Sequence, residues 1–248
     1  MAISYPLTVP DYSSFSSVSL VARNTVAVSV SPYTAQQKIY QWRGQFWEVD
    51  ITLKPMKRAD AESWNAFFLK LKGQVGTFYL SPDPNGRTVR GSASSSAGTP
   101  IVNGALSANS SSVDITGATA GATGYLLAGD YISINNQLLK VLNDVNTTGS
   151  GTATIDIFPN IRTALSGSDT VTVSNAQGVF RLATNEQNIS INSSNIYQQG
   201  FTAVESITWK IKIKRVNDLI KRLKEIGLKN AIQIYFFLEN KVKEKREN

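Results

Sequence analysis

The chain has 248 residues, 42% of them hydrophobic, and a formal net charge of +7, so it is long enough to bury a core without crosslinks and has room for two domains. It contains no cysteine and no histidine, which excludes a disulfide framework, thiolate metal sites and every Ser-His or Cys-His nucleophile, and removes the commonest general base. The net charge is local: residues 210–248 carry 12 Lys/Arg and 5 Asp/Glu, 12 − 5 = +7, and residues 1–209 sum to zero.

The N-terminal MAISYPLTVPDYSS has no charged segment followed by an apolar one, and no run approaches the roughly 20 apolar residues of a membrane span. The expectation is a soluble protein made in the cytoplasm. Val18–Val21 and Thr25–Val30 read as two strands of a hairpin turning at Asn24. Gln45–Leu53 alternates Phe46, Val49, Ile51 and Leu53 with polar residues, Trp47 excepted, as a half-buried strand does, and Pro55 stops it by Lys54. Trp42 and Trp47 are expected on opposite faces of that twisted strand, both in core packing.

Ala61, Trp64, Phe67, Phe68 and Leu71 fall on one side of a helix opposite Glu62, Asn65, Lys70 and Lys72. Asp60 suits the first turn and Gly73 the left-handed cap. Thr77–Leu80 resumes as a strand, and Ser81–Gly86 is a dense turn.

From Arg87 the composition turns to Gly, Ser, Ala, Thr and Asn, with GSASSSAG (91–98) read as a linker. Ser112–Thr116, Tyr131–Ile134, Gln137–Leu142, Ala153–Phe158 and Thr170–Val173 are short strands spaced for a small sandwich or barrel. Asn135-Asn136 is a two-residue hairpin turn. Gly178–Ala183 leads out, and a second alternating stretch from Phe201 is placed to pair with the strand around Val49. The organisation read from this is a β domain of residues 1–88 plus 179–213, an inserted β module of 89–178 and a basic C-terminal extension of 214–248. In the extension Val216, Leu219, Ile220, Leu223 and Ile226 recur at helical spacing, closed by Gly227.

The run W-R-G-x-x-W-E-V-D-I-T-L-x-P-M-x-R-A-D-A-E-x-W-x-A-F-x-x-x-L-x-G-x-x-G-T-F-x-L-x-x-P, with Gly124–Val141, Gly151–Arg162 and Gly178–Ala183, resembles tail proteins of tailed bacteriophages, of the distal-tail, tail-tip or baseplate-adaptor kind. The resemblance covers roughly residues 40–207. It implies a tail-tube-like β-sandwich with one flanking α-helix, whose Trp64, Phe67, Phe68 and Leu71 form the core of a ring-forming domain. It implies further a structural virion protein that closes into a ring with its own copies, a hexamer in the family, and joins the tail tube to hub, tape-measure or fibre proteins, with DNA only in transit. Residues 214–248 lie outside the resemblance.

No catalytic, cofactor or metal site is assigned. GATAGATG (117–124) and GQVG (73–76) lack the Gly-Lys-Ser/Thr of a phosphate loop. Glu48 and Asp50 read as an exposed polar face rather than as a glycosidase pair. Asp83–Gly86 lacks the downstream acid of a calcium loop. Lys212, Lys214, Arg215, Lys221, Arg222 and Lys224 form a partner-binding candidate suited to phosphates, an anionic membrane surface or an acidic neighbouring subunit, against a solvated helix that packs on its own domain or the next protomer. The alternative function is a carbohydrate-binding receptor module, for which Tyr125 and Tyr131 would be the surface aromatics.

Overall fold

A computed structural model of the chain describes residues 3–83, 85–188, 190–191 and 195–207. The protein is mainly β, with one α-helix among the described residues. The strands are β1 (Leu7–Thr8), β2 (Phe15–Val30), β3 (Gln37–Leu53), β4 (Phe78–Leu80), β5 (Gly98–Val102), β6 (Ser112–Ala118), β7 (Tyr131–Ile134), β8 (Gln137–Val141), β9 (Ala153–Phe158), β10 (Val171–Thr172), β11 (Gly178–Leu182), β12 (Ser190–Ile191), β13 (Tyr197–Gln198) and β14 (Gly200–Glu205). Helix α1 spans Arg58–Leu71.

One six-stranded sheet has the order β1-β4-β11-β14-β3-β2, and a second has β10-β7-β8-β9-β6-β5. The second sheet curls until its two end strands meet through a bridge between Ile101 and Thr170 and a hydrogen bond from Val102 N to Asp169 O. It is a nearly closed barrel. Val113, Ile115, Ile132, Ile134, Leu139, Val141, Ile155 and Ile157 fill its interior. Both sheets belong to one compact unit ending at Ser206.

Helix α1 lies where its apolar stripe places it. Ala61, Trp64, Phe67, Phe68 and Leu71 are all buried, and the Trp64 ring meets Phe15, Phe67, Phe68 and Phe201 at centroid distances of 5.7–6.1 Å. Burying each such ring stabilises the fold by about 1.5–3 kcal/mol. Asp60 occupies the first turn and Lys70 the last, each at the favourable end of the helix dipole. The left-handed cap falls one residue before the expected Gly73, at Lys72 with φ +52°, and Gly73 follows at φ +66°.

The second alternating stretch pairs as expected, with Ala203 opposite Val49 and Phe201 opposite Ile51. Asn135 and Asn136 both take positive φ, 49° and 63°, in the β7–β8 turn. Gly98–Val102, expected to begin as linker, is a strand. The segment before it is packed: Ala93 is buried, and Ser92 N and Ala93 N donate to Gly124 O and Tyr125 O. Small residues there permit close backbone approach, which composition alone cannot distinguish from slack.

The first hairpin differs most from expectation. Asn24 is not a turn; it pairs with Gln45 inside one 16-residue strand. The chain reverses at Ser31–Gln36, where Ala35 N donates to Ser31 O, Ser31 N donates to Gln36 O and Ala35 has φ +55°. A register shift after Asn24, with Thr25 facing Trp42–Gly44, absorbs the local irregularity that reads as a turn. A Cβ on Gly44 would lie 2.6 Å from Thr25 Oγ1, so glycine lets the Thr25 side chain sit close over the bulge.

Candidate functional site

The distal part of the β2–β3 hairpin runs beyond the body as a two-stranded arm. Residues 22–30 and 32–43 are exposed throughout. Opposed residues of an antiparallel pair share a face, as do residues two apart along a strand. Val28 opposes Ile39, with Val26 opposite Gln41 and Val30 opposite Gln37, so one face presents four aliphatic side chains that are 45–63% exposed. The other face carries Lys38, Tyr40 and Trp42, with Ala27 and Ser29 opposite Tyr40 and Lys38. Tyr40 and Trp42 meet edge to face at 4.7 Å. Trp42 is thus exposed rather than in the core, whereas Trp47 is buried. Tyr33 at the tip is 95% exposed.

Two further properties make this arm an interface candidate. Strand β2 pairs only with β3 among the described residues, leaving a long edge of backbone donors and acceptors. No acidic residue occurs between Asp11 and Glu48, while Arg23, Lys38 and Arg43 do. A lone hairpin with apolar side chains on both faces is at best marginal in water.

The arm is rooted on the body at Gln45–Trp47. The Trp47 indole N–H donates to Leu138 O at 3.1 Å, and its ring packs on Phe158 and Tyr131 at 5.1 and 6.1 Å. Gln45 Oε1 accepts from Asn160 N at 2.9 Å. Glu205 Oε2 accepts from Trp47 N at 3.1 Å and from Arg162 Nη2 at 2.5 Å, while its Oε1 accepts from Arg162 Nε at 3.1 Å. Burial pushes the Glu205 carboxyl above its ordinary value, and Arg162 with the Trp47 N–H partly offsets the rise. Alternation alone does not single out Glu205; the sequence signal for it is an acid on the apolar side of the row, beside Phe201 and Ala203.

Trp64, Phe67, Phe68 and Leu71 are brought together, as interior rather than surface. Glu48 is paired with Arg23 at 2.6 Å, and Asp50 accepts the Thr202 hydroxyl at 2.6 Å, on the solvent side of the first sheet. Asn85 N donates to Asp83 Oδ1, an Asx turn. Tyr125, expected as a surface aromatic, is fully buried with its hydroxyl on Ala97 O, and Tyr131 is half-buried between Trp47 and Lys140. Tyr125 is therefore interior rather than a surface aromatic, whereas Tyr131 keeps part of its side chain at the surface. Lys212, Lys214, Arg215, Lys221, Arg222 and Lys224 lie outside the described residues. No helix among the described residues is long and apolar enough to cross a membrane, and none of their His, Cys, Asp and Glu side chains cluster in threes that could hold a metal ion.

No protein-family model matches the chain, and no curated protein matches it.

Proposed function

We propose that this chain is a structural, non-catalytic subunit of a bacteriophage tail: a distal-tail adaptor that closes into a ring with its own copies and joins the tail tube to the hub or fibres around the DNA conduit. The observation that carries the reading is the hairpin arm, with its unpaired β2 edge and apolar side chains on both faces. Such an arm needs a partner surface. A contact between the arm of one copy and a different surface of the next is heterologous, and it closes into a ring when its rotation divides a full turn. The resemblance of residues 40–207 to distal-tail proteins supplies the hexamer, the tube, hub, tape-measure and fibre partners, and the virion as the place of action. On the solvent side of the first sheet Glu48 pairs with Arg23, Asp50 accepts the Thr202 hydroxyl and Arg181 donates to the Ser206 hydroxyl, so two acids face two bases, a balance compatible with a wall past which DNA slides.

Electron microscopy and sedimentation of the full chain test this. Closed rings are expected from the parent protein, with monomer from a variant carrying Val28→Asp and Ile39→Asp. A parent protein that stays monomeric at high concentration and in the presence of tail-tube protein overturns the reading.

A further inference from the structure

The polar and aromatic contacts at the arm's root have a common source. The described pairing of β14 with β3 stops at Glu48, opposite Val204. Just beyond it, the groups that hold Gln45 and Trp47, other than β2, are Glu205 and residues of the barrel: Leu138 O, Asn160 N, and the rings of Tyr131 and Phe158. The barrel residues are themselves tied to each other, since Gln137 Nε2 donates to Asn160 O and Gln137 Oε1 accepts from Arg162 N. Arg162 in turn grips Glu205 through two nitrogens of its planar guanidinium, a geometry that fixes direction as well as distance. Strand β8 makes the joint possible by alternation: Leu139 points into the barrel and Leu138 into the core of the first sheet.

A register break bends a hairpin and sharpens its local twist, and here the break lies at Thr25 and Trp42–Gly44, directly outboard of the clamped residues. The clamp fixes the strand from which that bend sets out. With it, the direction of the arm is set at residues 45–47.

We propose that the barrel of residues 98–172 is a brace, and that Arg162, Leu138 and Asn160 are positioning residues that fix the angle at which the arm is presented to its partner. This gives the barrel a task that needs no ligand of its own. It rests on the arm being the assembly surface, but the geometry is measurable on single molecules before any assembly.

The chain's lack of cysteine permits a clean measurement. Spin labels are placed at Ser29→Cys on the arm and Leu142→Cys on the barrel, both exposed positions, and the distance distribution is recorded by pulsed electron resonance on full-length protein carrying Val28→Asp/Ile39→Asp to keep it monomeric, the parent for this comparison. The parent distribution is expected to be narrow. In Gln45→Ala/Trp47→Phe, which removes a side-chain acceptor and the indole N–H while keeping a ring, it is expected to broaden at least twofold with circular dichroism unchanged. In Arg162→Ala it is expected to broaden likewise, with Arg162→Lys partly restoring it. If Arg162→Ala fails to fold, the double variant decides. A distribution already broad in the parent, or equally narrow in every folded variant, overturns the brace. Absence of rings with a brace-dependent distribution would instead sink only the ring reading.

Discussion

Glu205 and Trp47, 158 residues apart, are joined by a hydrogen bond from the backbone N–H of Trp47 to the Glu205 carboxylate at 3.1 Å, one step past the last pair of the β3–β14 ladder. Because burial raises the Glu205 carboxyl above its ordinary value of 4.5 despite Arg162, the folded state holds this proton more tightly than the unfolded chain does. Its contribution to stability is therefore largest at acid pH and declines as pH rises through the folded-state value. Glu205→Gln, neutral at every pH, is expected to gain stability relative to the parent between pH 4 and pH 7 in urea titrations. A constant difference across that range would show that Glu205 titrates like an exposed acid.

Trp64 sits at the centre of the aromatic cluster, fully buried among Phe15, Phe67, Phe68 and Phe201. Trp64→Ala is expected to cost about 3–5 kcal/mol in chemical denaturation. A loss below about 1 kcal/mol would mean that the cluster collapses to refill the space.

Val28 and Ile39 oppose one another on the arm and touch solvent. Val28→Asp/Ile39→Asp is expected to leave the unfolding midpoint of the isolated chain within about 1 kcal/mol of the parent, as for other exposed positions, while abolishing self-association in sedimentation. Equal damage to stability and assembly would place these residues in a folding core instead.

Gly91 shows how tightly the segment read as a linker is packed. A Cβ there would run into Tyr125 O and would lie 2.7 Å from Gly124 O, both backbone atoms that cannot swing aside. Gly91→Ala is expected to lower stability by about 1–3 kcal/mol, the range for overpacking, measurable as a fall in melting temperature. An unchanged melting temperature would mean that the 91–98 segment is loosely held.

The readable parts of the fold were those fixed by local periodicity. Trp64, Phe67, Phe68 and Leu71 repeat at helical spacing and bury together; Pro55 lacks the N–H a strand needs, and β3 ends at Leu53. Asn135 and Asn136 tolerate positive φ and take it. Asn24 has the same turn preference but lies within a ladder long enough to hold it extended against Gln45. The arm was legible only as strand: alternation indicates two faces but not whether either is covered, so Trp42 and Trp47 looked alike.

By itself the sequence determined the mainly β character, the one aromatic helix beneath the first sheet, the pairing partner of residues 201–205, and the exclusion of thiol and imidazole chemistry. Tertiary structure alone decided that Tyr125 is interior, that Trp42 is bare, and that Glu205, Arg162 and Trp47 meet at the root of an arm. The division has a physical cause. Backbone preference and side-chain period act over a few residues, whereas exposure and ion pairing depend on which distant segment arrives alongside, and that is set only when the two sheets pack.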